Sequence, residues 1–146
     1  MPTYTVTHSA LDLDPEQRSQ IANGITEAHN RITGANKYFA QVIFNEKSVG
    51  DHFMGGKLVS EPQLFLHGEI RSGRTEAVKK KLILELRDIL VRVSGLDQSD
   101  VWVYIVDLLP NQMIEYGEVL PESGKENEWY SNLSPELKEK LARLDE

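Results

Sequence analysis

The chain has 146 residues, 40% of them apolar and 27% charged, with a net charge of −7 and no cysteine. This fits one soluble domain with its own core. It excludes disulfide and thiolate chemistry and argues against nucleic acid or an anionic membrane as a partner.

No apolar run approaches the roughly 20 residues of a membrane helix, and no signal-peptide core is present, so the expected location is the cytoplasm. The first stretch, Met1-Pro2-Thr3-Tyr4-Thr5-Val6, reads as a strand, extending over residues 3–8. Asp14-Pro15-Glu16 is a helix start, with an acid at the cap and proline in the first turn. Ile21, Ile25, Ala28 and Ile32 then recur at helical spacing, and Gly34 ends the run. Phe39 to Phe44 is a second strand. Residues 47–62 are polar and glycine-containing and read as a linker. Leu64 to Ile70 is a third strand. Arg71-Ser72-Gly73-Arg74-Thr75 turns into a second helix, capped by Thr75, striped by Leu82, Leu86, Ile89 and Val93, and closed by Gly95. Val101 to Val106 is a fourth strand. Residues 108–146 read as irregular, with one short charged helix after Ser134-Pro135.

The pattern is one βαβ unit over residues 1–46, the linker, a second unit over 63–107, and a C-terminal segment over 108–146. Placing Gly34 on Gly95 brings Tyr4 onto Phe65, Ile21 onto Leu82, Ile25 onto Leu86, Ile32 onto Val93 and Val42 onto Val103. This is a structural repeat. The expected fold is α+β: each unit gives a parallel strand pair, and the two units join into a four-stranded mixed sheet with both helices on one face. The other face is expected to be apolar and to need a partner, which predicts a homo-oligomer.

A few residues depart from plain packing. If Met1 is removed, Pro2 becomes a secondary amine able to exchange a proton, as α-amino groups do at a pKa of about 8. Otherwise Met-Pro is an ordinary start. In the repeat Pro2 falls on Gln63, so only the first unit can offer such an amine. His29 lies on the helix stripe where the repeat has Leu90; it is either a satisfied core histidine or a functional one. Arg71 and Arg74 sit at a helix N-terminus, where cations are disfavoured unless an anion joins them; they are either an anion site or two solvated surface arginines. Tyr104 is a strand residue and Glu115 a loop residue, with Glu118 an equal candidate on composition. His8, His52 and His67 show no metal-ligand spacing with each other or with His29, so no metal is expected. No phosphate-binding glycine loop or nucleophile motif is present.

Together these features resemble the tautomerase superfamily, and within it the group of cis-3-chloroacrylic acid dehalogenase. The resemblance runs over nearly the whole chain. It is carried by Pro2, Ile25-Thr26-Glu27-Ala28-His29, Ala40-Gln41-Val42, Arg71-Ser72-Gly73-Arg74, Val101-Trp102-Val103-Tyr104, Glu115-Tyr116-Gly117, Glu128-Trp129 and Asn132-Leu133-Ser134. It implies Pro2, Tyr104 and Glu115 as catalytic residues and His29, Arg71 and Arg74 as binders of a small carboxylate substrate. It implies a homotrimer and no cofactor. The implied reaction adds water to a three-carbon unsaturated acid, giving malonate semialdehyde from a cis-3-haloacrylate or an acetylenic acid. The alternatives are keto-enol tautomerisation of a phenylpyruvate-like 2-oxo acid, if Pro2 acts as a base, and a non-catalytic assembly protein that keeps the fold.

Overall fold

The structure, a computed structural model, describes residues 1–146. In chain order the elements are β1 (Thr3–Ser9), α1 (Pro15–Thr33), β2 (Gln41–Lys47), β3 (Phe53–Met54), β4 (Lys57–Leu58), β5 (Gln63–Arg71), α2 (Glu76–Ser94), β6 (Val101–Leu108), β7 (Ile114–Glu115), β8 (Glu118–Val119), α3 (Glu126–Ser131) and α4 (Pro135–Asp145).

Both long helices begin and end as their sequences dictate. Asp14 accepts from the Gln17 N–H at 2.7 Å, and the Gln17 side chain accepts from the Asp14 N–H at 3.0 Å, which pairs two otherwise orphaned donors. Thr75 accepts from the Val78 N–H at 3.2 Å. Gly34 and Gly95, each at φ 76°, close α1 and α2 in the left-handed conformation that glycine tolerates.

The main sheet runs β2-β1-β5-β6. Each βαβ unit contributes a parallel pair, and the units meet antiparallel at β1 and β5. Tyr4 and Val6 of β1 and Leu64, Leu66 and Ile70 of β5 face the helices, where they pack with Ile21, Ile25, Leu82, Leu86 and Leu90. Each such aliphatic side chain contributes about 1.5–3 kcal/mol by burial. At the helix crossing, a Cβ on Gly24 would lie 2.9 Å from Ile89 Cγ2, so only glycine admits this approach without movement. A second cluster, Met1, Ala35, Tyr38, Phe39, Leu120, Leu133 and Leu141, lies under the C-terminal segment.

Three expectations need correction. Tyr4 does not correspond to Phe65: Tyr4 is fully buried toward the helices, whereas Phe65 lies on the other face. The repeat holds along the helices and final strands, but the turn before each helix differs in length, and a one-residue slip reverses a strand side chain. The face away from the helices is mixed rather than apolar. Thr3, Thr5, Thr7 and Gln41 stand among Ile43, Phe65, Trp102, Tyr104 and Val106, because β1 satisfies its strand preference with threonine. Finally, residues 108–146 hold a β-hairpin and two helices, not one, and the linker holds the β3–β4 hairpin.

Candidate active site

The β1–β5 register sets the start of β1 against the end of β5, with Thr3 opposite Glu69. Met1 precedes this ladder and is 1% exposed. Its amine donates to the Phe39 carbonyl at 3.0 Å and forms an ion pair with Glu115. In the chain beginning at Met1, the Pro2 nitrogen is therefore an amide, and the free amine is that of Met1. Burial drives this amine down to about 5, with Arg71 and Arg74 adding to the fall and Glu115 opposing it.

Glu115 reaches the amine from the β7–β8 hairpin. Tyr116 and Gly117 form the turn at φ 56° and 84°, a pair of positive φ values that suits a tight hairpin. The Tyr116 hydroxyl donates to the Tyr38 carbonyl and anchors this strained residue. Glu118 sits across the hairpin ladder and is exposed, which separates two glutamates that composition left equal.

Arg71 ends β5 and is 2% exposed. One Nη donates to the Pro121 carbonyl at 2.7 Å, the other pairs with Glu126, and Nε has no partner. Arg74 donates back to the Arg71 carbonyl at 2.9 Å. Burial and the neighbouring Arg71 both lower the Arg74 pKa. Burial pushes the Glu126 carboxyl up, but its bond to Arg71, the Arg71 charge and backbone N–H groups of Glu126 and Gly124 together hold it below the usual range.

His29 is buried on α1, and its Nδ1 lies 2.7 Å from the Tyr4 hydroxyl. Its Nε2 has no partner. Burial, then Arg74, then the terminal amine bring its pKa down to about 3, so the ring is neutral. The same three cationic and polar groups thus converge on one end of the sheet: the amine, His29 and the arginine pair, with Glu115 beside them.

Tyr104 does not join them. It is 52% exposed on the opposite sheet face, packed edge-on against Phe65 with ring centres 5.0 Å apart. It lines a separate cleft of about 690 Å³ with His52, Phe53 and Trp102.

Two clefts flank Met1. One, of about 530 Å³, is lined by Met1, Asn36, Arg71, Arg74, Ser123 and Glu126. The other, of about 700 Å³, is lined by Gln41, Met113, Glu115 and Tyr116. Phe39 borders both. Met1 lines the arginine side while its amine meets Glu115 of the other side, so this one residue bridges them.

Sequence reasoning missed Tyr4 and Glu126. A signal for Tyr4 existed in Gly68, since a glycine inside a strand marks a close approach. Glu126 had none, because its pairing with Arg71 depends on how the C-terminal segment folds back.

The family model Tautomerase_3, described as an oxalocrotonate tautomerase enzyme, matches residues 1–133. The crystal structure of N1, a member of the cis-3-chloroacrylic acid dehalogenase family, superposes with a TM-score of 0.91 at 37% identity, covering 97% of this chain and 99% of that one. Native Ps01740 superposes at 0.73 with 29% identity, covering 77% and 99%. A fused 4-OT wild-type symmetric trimer does so at 0.73 with 20% identity, covering 81% and 94%, which speaks to the fold alone. No curated protein matches the chain.

Proposed function

The chain belongs to the tautomerase superfamily, close to the cis-3-chloroacrylic acid dehalogenase family, and from that premise we propose that it adds water to a small three-carbon unsaturated carboxylate without a cofactor. The observation that carries this reading is the pairing of the terminal amine with Glu115 beside Arg71 and Arg74. An amine and a carboxylate at one place can supply an acid and a base, and two guanidinium groups can hold the acid's anion.

Loss of Met1 would free the Pro2 nitrogen as a secondary amine. It would also empty the place that Met1 fills beside the arginines and so make room for substrate between them and Glu115. The substrate carboxylate would then rest on Arg71, Arg74 and His29. These groups draw electron density from the conjugated bond and stabilise an enediolate as it forms. Glu115 takes a proton from water as its oxygen bonds to the β-carbon, and the Pro2 ammonium gives a proton to the α-carbon. With cis-3-chloroacrylate the adduct expels chloride and a proton to leave malonate semialdehyde. With propiolate, tautomerisation of the adduct gives the same product and no halide.

Tyr104 has a role beside Glu115 in this scheme only if a second copy brings it there, since its own chain holds it on the far face. That requirement calls for an oligomer, and the trimeric fused 4-OT of the same fold supports a homotrimer.

A second reading is favoured by the depressed amine. The depressed amine is that of Met1; a Pro2 amine freed at the same buried place would feel the same burial and, neutral at pH 7, would work as a base. Keto-enol tautomerisation of a phenylpyruvate-like acid then follows. The deciding experiment joins intact mass with product analysis by NMR. Protein lacking Met1 that forms malonate semialdehyde from both acids bears out hydration. Turnover of phenylpyruvate enol alone moves the assignment to tautomerase. Protein that retains Met1 and turns over nothing removes the proline mechanism.

A further inference from the structure

We infer that Tyr4 is a positioning residue that sets the tautomer of His29. Its O–H donates to Nδ1, which leaves the single imidazole proton on Nε2. That Nε2–H is the donor offered to the substrate carboxylate, a last step that rests on the reading above.

Three observations carry the inference. First, the Tyr4 hydroxyl lies 2.7 Å from His29 Nδ1, with the rings edge to face at 5.8 Å and 69°. The hydroxyl has no other partner, and Tyr4 is fully buried. Were Nδ1 the protonated nitrogen, it would donate to the hydroxyl oxygen, and the tyrosine hydrogen would be left inside the core with no acceptor. Tyrosine as donor pairs the phenol hydrogen and leaves Nε2–H as the one unpaired donor of the pair. Second, His29 is 2% exposed and its Nε2 has no protein partner, so the donor that this tautomer creates has its acceptor still to be supplied. Third, the strand is built around the tyrosine. Gly68 stands directly opposite Tyr4, and a Cβ there would meet the Tyr4 ring at 2.6 and 2.7 Å. Any larger residue on β5 would push the ring off this line toward His29.

The protonation states agree. Burial first, with help from Arg74 and the terminal amine, keeps the imidazole neutral with a pKa of about 3. Burial also raises the phenol, which therefore keeps its proton. A neutral ring carries one proton, and its location is the quantity that Tyr4 controls. The corresponding helix position in the second unit is Leu90, which has no proton to place.

The test is two-bond ¹H–¹⁵N correlation NMR of the His29 ring in substrate-free protein. The expected wild-type pattern is a protonated Nε2 and a bare, hydrogen-bonded Nδ1. Tyr4→Phe keeps the ring and its seat on Gly68 and removes only the O–H. It should bring in the Nδ1–H form and lower kcat/KM by roughly tenfold. In a His29→Ala background the same change should have no further effect. A wild-type ring protonated on Nδ1 would overturn the inference, as would an unchanged tautomer in Tyr4→Phe or an undiminished loss in the His29→Ala background. Because the NMR reading needs no substrate, absence of turnover would sink the proposed reaction and leave the tautomer assignment standing on its own result.

Discussion

The two βαβ units share a scaffold and divide the chemistry between them. Their helices are both 19 residues long, both capped by a side-chain oxygen and closed by glycine at φ 76°. Yet the first buries His29 where the second buries Leu90, and the second ends its strand with Arg71 where the first ends with Ser9. The first unit supplies the amine, Tyr4 and His29; the second supplies the positive charge. They form one site because β1 and β5 run antiparallel, so the start of one strand adjoins the end of the other. A duplicated scaffold can thus keep its core and give each copy half of a site.

The sharpest way to break this division is to remove the charge of the second unit. Arg71→Ala should lower kcat/KM by about 10³ on the carboxylate it is proposed to hold. A loss of similar size from changing the exposed Arg92 would show that general charge, rather than the buried fork, matters.

Exchanging the paired helix positions tests the comparison more directly. Leu90→His should cost about 3 kcal/mol, because the new imidazole enters a fully buried site among aliphatic side chains, without a tyrosine to pair it. Urea denaturation measures this. A neutral outcome would mean that the second unit accepts polar groups as the first does.

His29→Leu makes the first unit resemble the second, and pH reads the result. The folded His29 pKa is depressed to about 3 from 6.5, so its neutral form adds stability above pH 6.5 that is lost as pH falls toward 3. In protein that keeps Met1, its terminal amine is depressed to about 5 from 8.0, and its share is lost between pH 8 and 5. Each group contributes up to about 1.4 kcal/mol per pH unit within its own window. His29→Leu should therefore flatten the decline below pH 6.5 and leave the decline between pH 8 and 6.5 in place. Identical curves for the two proteins would mean that His29 does not titrate with unfolding.

Much of this was legible in the sequence because it is local. The helix caps at Asp14 and Thr75, the closing Gly34 and Gly95, and the strand-helix-strand order follow from short-range rules, and a four-stranded mixed sheet follows from joining two such units, although which strands meet does not. His29 stood out because it interrupts an apolar stripe, and Arg71 and Arg74 because cations at a helix start invite an anion. What the sequence hid depends on pairing across the fold. The facing of Tyr4 turns on register, and its meaning turns on Gly68 across the ladder. Glu126 meets Arg71 only after the C-terminal segment folds back. The face of Tyr104 could be read, since Trp102, Tyr104 and Val106 alternate with Val101, Val103 and Ile105, but that the other site residues gather away from that face could not. The mixed character of that face came from three threonines on β1, which a count of apolar strand residues passes over.

The smallest expected effect lies where the two units touch. α1 presents Gly24 and Ala28 at positions where α2 carries Glu85 and Ile89, so the crossing is asymmetric: the small residues are on one helix and the bulky one on the other. Gly24→Ala gains about 1 kcal/mol of helix propensity. Against this, the new Cβ meets Ile89 Cγ2 at 2.9 Å. That methyl is attached at the β-branch, and β-branched side chains in helices have one strongly preferred rotamer, so it has little freedom to yield. The helices must separate slightly, and overpacking of this kind costs about 1–3 kcal/mol. The net expectation is destabilisation of about 1 kcal/mol, and Ile89→Val should not relieve it because valine keeps the offending methyl. Ile89→Leu moves the branch outward and should recover part of the loss. If Gly24→Ala stabilises the protein instead, the crossing is slack, and the asymmetry between the helices is an accident of sequence rather than a packing requirement.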